Sequence, residues 1–339
     1  MSVGVFMRPR DETGKMTLTK MTLRIGTRSS ALALWQANHV RKELEKVSVS
    51  AEIIHIKTEG DLNHSDPIVK MSAQGVFVKE IQKALLEDRI DLAVHSLKDL
   101  PIEPVVGLHF AATLSREDVS DVFVGRKYKT PDELPSGARV GTGSLRRRCQ
   151  LAHRFCEKNL LFDDIRGNIE TRLRKLDCGE YDALVLAAAG LRRLGFDERI
   201  TEAGRFSPLE FLPAPGQGAL GLECREDDRL TLGFLTRIND ARVYAAVTAE
   251  RAFLARLRGG CIAPIGAFAR YEKDTLLFNG RILSPDGKKR FDVYLTDEDI
   301  ADPQARLSAA HRLGVAAADK ITTPEVKEIL DSILRVREA

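Results

Sequence analysis

The stretch Asp91-Leu92-Ala93-Val94-His95-Ser96 decides how this chain folds. Its almost unbroken apolar run predicts a strand buried on both faces, the kind found inside parallel sheets covered by helices. His95, inside that run, reads as a satisfied core histidine rather than a ligand or a base. Upstream, strand and helix alternate. Residues 23–25 predict a short strand, 30–46 a helix capped by Ser29 or Ser30, 52–57 (EIIHIK) a second strand and 76–87 a second helix. Downstream the theme repeats. Residues 121–124 and 139–140 read as strands, 144–155 as a helix, 160–165 as a strand, 169–176 as a helix and 183–188 (ALVLAA) as another buried strand.

The expected fold class is therefore α/β, with two doubly wound units joined through segments near 117–119 and 212–218. From Ala241 the character changes. One helix, three strands (265–271, 276–283, 291–295) and two closing helices predict a small C-terminal α+β domain. The expected division is a flexible extension over 1–20, domain 1 over 21–114 plus 217–238, domain 2 over 118–212 and domain 3 over 240–339.

Composition excludes several function classes. The 52 basic and 49 acidic residues leave a net charge of only +3, too balanced for a chain that coats nucleic acid. Aromatic residues make up 6% and there is one tryptophan, Trp35, so stacking platforms for bases are few. No run approaches the ~18 apolar residues of a membrane span. The first twenty residues carry Arg8, Arg10, Lys15 and Lys20 but no apolar h-region, so a secretory signal is not expected. Asp11 and Glu12 weigh against an organelle transit peptide without excluding it. The five cysteines are scattered without a C-x-x-C pair, which predicts neither a disulfide framework nor a metal site and fits a reducing cytoplasm.

Ligands of open α/β sheets bind beyond the C-terminal ends of the strands. Here those ends are followed by Thr27-Arg28-Ser29-Ser30, by Lys98-Asp99, by Gly141-Thr142-Gly143-Ser144-Leu145-Arg146-Arg147-Arg148, by Arg166-Gly167-Asn168 with Arg172 beyond, and by Arg192-Arg193. Any one of these cations alone reads as solvated surface. Five strand ends delivering cations to one edge, against the helix dipole, describe a site for several carboxylates or phosphates. A nucleotide is a poor fit, because Arg146 stands where G-x-G-x-x-G needs its third glycine and no phosphate-binding P-loop occurs. Asp99, the carboxylate of the set, reads locally as a turn residue. Among so many cations it would stay ionised and could hold a cationic intermediate or move protons.

One further spot draws attention. Residues 241–257 read as an amphipathic helix with Val243, Val247, Leu254 and Leu257 on one stripe, ended by Gly259-Gly260 and kept from resuming by Pro264. Cys261 follows on a short permissive loop. It is either an inert small hydrophobe or a thiol placed for chemistry.

The segments LRIGTRSSALALWQ, DLAVHSLKDLP, GTGSLRRR, RGNIETRL, LAAAGLRRLG, PGQGALGLECR and AERAFLARLRGGC, in this order, resemble the porphobilinogen deaminase (hydroxymethylbilane synthase) family from about Leu23 to Ala267. The resemblance implies two domains like those of type II periplasmic binding proteins and a third that carries a dipyrromethane cofactor, bound by a thioether to Cys261. It implies condensation of four porphobilinogen units with loss of ammonia and hydrolytic release of hydroxymethylbilane, passed on to uroporphyrinogen-III synthase by a monomeric enzyme. Asp99 matches the family's central catalytic residue, expected to stabilise positively charged pyrrole nitrogens and assist proton transfer. Arg28, Arg146, Arg147, Arg166, Arg172 and Arg193, with Ser30, Lys98, Thr142 and Ser144, match its carboxylate-binding positions.

Gln217 is expected to shape the hinge. In the lid before the second helix Lys70 and Phe77 are kept, but Gln74 stands where lysine is usual; Thr142-Gly143-Ser144 and Pro215 depart from the common pattern as well. The rival reading is a non-catalytic type II solute-binding protein for polycarboxylates, which would need neither Cys261 nor the third domain.

Overall fold

A computed structural model describes residues 22–56, 69–258 and 263–338. In chain order the elements are β1 (Thr22–Thr27), α1 (Ala31–Lys46), β2 (Ser50–His55), α2 (Val69–Leu86), β3 (Leu92–Ser96) and β4 (Leu108–Ala112). Then come β5 (Asp121–Gly125), β6 (Arg139–Gly141), α3 (Leu145–Arg154), β7 (Leu161–Asp163), α4 (Ile169–Asp177), β8 (Ala183–Ala187) and α5 (Ala188–Arg193). The last group is β9 (Leu220–Arg225), α6 (Arg229–Ile238), α7 (Ala241–Arg256), β10 (Ile265–Glu272), β11 (Thr275–Leu283), β12 (Arg290–Glu298), α8 (Pro303–Ile321) and α9 (Pro324–Glu338).

These residues form two compact units. The first comprises the chain up to His95, Pro104–Ala112 and Gly221–Asn239; the second comprises Ser96–Glu103, Thr113–Leu220 and Asp240–Ala339. The first is built on a five-stranded sheet of order β2-β1-β3-β9-β4. β1 lies parallel to both β2 and β3, with Ile25 opposite Leu92, so the apolar run that opened the reading is an inner strand as expected. Gly26 is required beside it, since a Cβ there would come 2.2 Å from Ile90 Cδ1.

The second unit holds a four-stranded sheet, β5-β8-β6-β7, and a separate antiparallel meander, β10-β11-β12. Alternation along β5 and β8 supplies both faces of the four-stranded sheet. Val122, Val124, Leu184 and Leu186 pack with Ile165, Leu173 and Leu191, whereas Phe123, Ala183 and Val185 pack with Val140, Leu151, Phe155 and Phe211. That two-sided core is what period-2 apolar strands covered by helices must produce. On the meander, Phe278, Ile265 and Ile282 share a core with Phe253 and Leu254 of α7 and with Leu313, Ala317 and Ile321 of α8. The α/β architecture with a small C-terminal α+β piece is thus as the sequence predicts.

Several details differ from expectation. Neither α/β sheet is wholly parallel, because β4 runs antiparallel to β9 and β5 antiparallel to β8. Strands β4 and β9 and helix α6 were not legible as elements, since each owes its state to pairing or packing with distant chain. Helix α2 begins at Val69 and not at residue 76. The good helix formers Met71, Ala73 and Gln74 carry it through Gly75, a substitution-sized cost of about 1 kcal/mol. Lys70 and Gln74 therefore belong to a helix and not to a loop before one; the side chains of Lys70, Gln74 and Phe77 lie outside the described residues. Helix α7 is not a one-stripe amphipath. It buries Ala245, Ala246, Val247, Ala249, Glu250, Ala252, Phe253 and Leu254, because the meander and α8 both pack on it.

Candidate active site

The second unit assembles most of the strand-end residues around one short turn. Immediately after β3, Leu97–Asp99 closes a 3-10 turn in which Leu100 N donates to Leu97 O (3.2 Å), and Pro101 prevents its extension. Leu97 is buried and its N–H donates to Ala219 O (3.1 Å). On the other side Arg251 of α7 donates to the carbonyls of Leu100 (3.0 Å) and Pro101 (2.8 Å). The backbone of Lys98 and Asp99 is thus held from before and after, which fixes where their side chains start.

At the β6 end, Thr142 is buried and its Oγ1 accepts from Ser144 N (3.2 Å), while Ser144 caps α3 by accepting from Arg147 N (3.5 Å). Two arginines follow in the first helical turn, where the dipole disfavours them. Their compensation is Asp121, the fully buried first residue of β5. Asp121 Oδ1 accepts from Arg147 Nε (3.0 Å) and Nη2 (2.7 Å), and Oδ2 lies 2.8 Å from Arg146 Nη1. Arg146 also donates to Leu212 O (2.6 Å), and Arg147 to Val185 O (3.0 Å). Burial alone would raise the Asp121 pKa, but the two guanidiniums outweigh it and hold the carboxyl far below its usual range. Burial pushes Arg146 down, against the pull of Asp121.

Lys98 feels the same group. Burial, with Arg147 and Arg146 adding to it and Asp99 and Asp121 opposing, lowers its pKa to about 8. Arg172 is lowered by burial and by Arg147 and Arg166, and is supported by Asp99; its Nε donates to Gly167 O (2.8 Å). Lys98, Asp99, Asp121, Arg146, Arg147, Arg166 and Arg172 therefore sit in one electrostatic neighbourhood. Its cations outnumber its carboxylates, which is the charge balance of a site for an anion bearing several carboxylates.

Arg193 is buried on α5 and donates to Gly218 O (2.6 Å); burial lowers it to about 10, opposed by Glu117. Arg192 beside it pairs instead with Glu117 (3.0 Å) and Asp118 (3.6 Å) and reads as a structural cation. Arg28 and Ser30 lie in the first unit, where Ser30 caps α1 by accepting from Ala33 N. Cys261 lies outside the described residues.

Three residues were missed from sequence. Asp121 opens an apolar strand, a charge at the mouth of a buried run. Glu250 sits three residues after Val247 and four before Leu254, a carboxylate on the apolar face of α7. It is fully buried and accepts from Arg116 Nη1 (2.7 Å) and Nη2 (3.0 Å), Gly216 N (2.6 Å) and Ala269 N (2.8 Å). Arg116, its partner, also donates to Gln217 O (2.9 Å). Gly216 and Gly218 around Gln217 both have positive φ, and a Cβ on Gly218 would sit 2.4 Å from Glu117 O.

The family comparison agrees with the geometry. A model of the porphobilinogen deaminase dipyrromethane cofactor-binding domain matches residues 23–232, and one of the family's C-terminal domain matches residues 244–323. The chain belongs to the porphobilinogen deaminase family. It is accordingly a transferase of tetrapyrrole synthesis, with porphobilinogen as its substrate and dipyrromethane as its cofactor. Among solved structures, lipoprotein Tp32 from Treponema pallidum is similar at 12% identity over 65% of this chain and 91% of its own (TM-score 0.42). A periplasmic substrate-binding protein of an ABC transporter from Coxiella burnetii is similar at 14% identity over 64% and 91% (TM-score 0.39). Likeness at that level carries nothing about ligand or activity. No helix among the described residues is long and apolar enough to cross a membrane.

The residues present fit a deaminase cofactor that carries acidic side chains. Lys98 and Arg172 share Asp99, and burial disfavours the charged form of both, so an anionic group beside them would be stabilising.

Proposed function

We propose that this chain is a hydroxymethylbilane synthase: it joins four porphobilinogen units head to tail with loss of ammonia and releases the linear tetrapyrrole by hydrolysis. The observation that carries the reading is the shared electrostatic neighbourhood of Lys98, Arg147, Arg146, Arg166 and Arg172 with Asp99. When bound through Cys261, dipyrromethane supplies the pyrrole from which the chain grows. Lys98, Arg147, Arg166 and Arg172 bind its carboxylates and those of incoming substrate, helped by Thr142 and Ser144; Arg28, Ser30 and Arg193 extend the same role. Asp99, set among these cations, stabilises the positive charge that develops on pyrrole nitrogen when ammonia leaves, and passes protons at its carboxylate.

In this reading Asp240–Ala339 is a cofactor-carrying domain, and the division into three domains over 21–114 plus 217–238, 118–212 and 240–339 describes the working parts. The enzyme acts as a monomer and hands its product to uroporphyrinogen-III synthase. The reducing cytoplasm suits it, since the four described cysteines, Cys149, Cys156, Cys178 and Cys224, are all free thiols.

Intact-mass measurement on the purified protein tests the proposal. A dipyrrole adduct is expected, giving a colour with an aldehyde reagent for pyrroles and disappearing in Cys261→Ser. A protein with unmodified Cys261 that also fails to consume porphobilinogen refutes the reading.

A further inference from the structure

Gln217 sits at the meeting point of the cations, not merely at a crossing of the chain. Its side chain is almost completely buried. Nε2 donates to Val119 O (2.7 Å) and to Asp121 Oδ1 (3.0 Å), while Oε1 accepts from Lys98 Nζ (3.3 Å). The amide orientation is unambiguous, because both partners of Nε2 are acceptors and the partner of Oε1 is a donor. Gly216 and Gly218, both at positive φ, lock the backbone on either side. Arg116 Nε donates to the Gln217 carbonyl (2.9 Å) and Glu250 accepts from Gly216 N (2.6 Å). Every polar atom of the Gln217 side chain is thus committed to aligning charged groups.

We propose that Asp121 and Gln217 are positioning residues for substrate carboxylate binding: Asp121 sets the Arg147 fork, and the Gln217 amide ties Lys98 to that fork through one continuous hydrogen-bonded chain. This rests on the functional reading above and goes beyond a hinge role for Gln217. The chain Lys98–Gln217–Asp121–Arg147 has a chemical consequence. Gln217 gives the Lys98 ammonium an uncharged acceptor, so Lys98 is oriented without being neutralised by an ion pair. The charged groups facing Lys98 are Asp99 and Asp121, which favour its ammonium form, and Arg146 and Arg147, which disfavour it. A cation held this way keeps its charge for an incoming carboxylate and loses it in mildly alkaline solution. Asp121 does for Arg147 what a carboxylate does for a ligand arginine elsewhere: it uses Nε and Nη2 and thereby fixes the plane of the guanidinium.

Amine labelling reads the Lys98 charge directly and without reference to turnover. The holoenzyme is pulsed with acetic anhydride across the neutral to alkaline range, and acetylation at Lys98 is quantified by peptide mass spectrometry. In the wild-type protein the midpoint is expected at or above about pH 8, since cofactor carboxylates beside Lys98 favour its ammonium form. Gln217→Met removes the acceptor that favours the ammonium, so the midpoint falls by about one pH unit. Asp121→Asn removes a facing negative charge and lowers it as well, but it leaves two buried guanidiniums without their carboxylate; Gln217→Asn, an amide too short to span Lys98 and Asp121, therefore carries the test should Gln217→Met fail to fold. In each, the basic limb of kcat/KM for porphobilinogen moves down with the labelling midpoint, while kcat near neutral pH changes less. Folded variants whose Lys98 midpoint equals wild type overturn the proposal, even if activity falls, because Gln217 would then only fill space. Absence of porphobilinogen consumption by wild type would instead overturn the functional reading, and the labelling result would stand apart from it.

Discussion

Glu250→Gln is an isosteric change that the structure makes severe. Oε1 of Glu250 accepts from Arg116 Nη1 (2.7 Å) and Ala269 N (2.8 Å), and Oε2 accepts from Arg116 Nη2 (3.0 Å) and Gly216 N (2.6 Å). Whichever way a glutamine amide is turned, its NH2 faces one guanidinium donor and one backbone donor. Two hydrogen bonds are lost, and the Arg116 guanidinium, only 9% exposed, keeps its charge without an opposite partner. Breaking a buried ion pair in this manner costs about 3–5 kcal/mol. For a chain of this size that corresponds to a fall in apparent melting temperature of about 4–7 °C. Thermal unfolding followed by circular dichroism reads it. The control is Arg256→Ala, which removes an ion pair just as short (2.7 Å to Asp319) but with both partners more than half exposed; it should stay within about 1 kcal/mol of wild type. If Glu250→Gln were as stable as that control, the buried network would not be what joins α7 to the segment around Gln217, and the account of how Gly216 is held would be wrong.

Three further outcomes are expected. Asp99→Asn should leave a folded protein whose porphobilinogen turnover falls on the order of 10²-fold or more, measured by single-turnover kinetics; near-normal turnover would remove Asp99 from the chemistry. The kcat/KM for porphobilinogen should fall above about pH 8 as Lys98 loses its proton, and Lys98→Arg should carry activity further into alkali. Because the folded-state pKa of Asp121 is depressed, its contribution to stability is present above the unfolded carboxylate value and lost as pH falls below about 4. Urea melts between neutral and acidic pH should show a shallower acid loss in Asp121→Asn than in wild type; parallel slopes would contradict the depressed value.

The charge pattern of the site is legible in the sequence, because cations after five strands need no tertiary knowledge to be seen. What answers those cations was not legible. Asp121 reads in sequence as the first residue of DVFV, and Glu250 as a lone carboxylate next to Arg251 in a mostly apolar helix. Only packing reveals that each is fully buried and shared among several donors. Gln217 looked like a hinge residue because its glycines dominate the local pattern, and its amide contacts with Lys98 and Asp121 join chain positions about a hundred residues apart. Arg192 and Arg193 show the opposite limit. Adjacent in sequence, they separate into a half-exposed ion pair with Glu117 and a buried donor to Gly218.

Local sequence determined the strands β1, β3, β5 and β8, the helices α1, α3, α4 and α7, and the order of the site segments, since apolar periodicity and capping are properties of neighbouring residues. Family membership was legible there too, in seven segments whose order is itself sequence. Tertiary structure alone decided the antiparallel pairing of β4 with β9, the wide buried face of α7, and the hydrogen-bonded frame from Lys98 through Gln217 to Asp121. Those depend on long-range contacts, and burial converts an ordinary carboxylate or lysine into a group with a shifted pKa and a fixed direction. Asp91-Leu92-Ala93-Val94-His95-Ser96 could announce its sheet, but the groups that hold Lys98 and Asp99 beyond its end come from elsewhere in the chain.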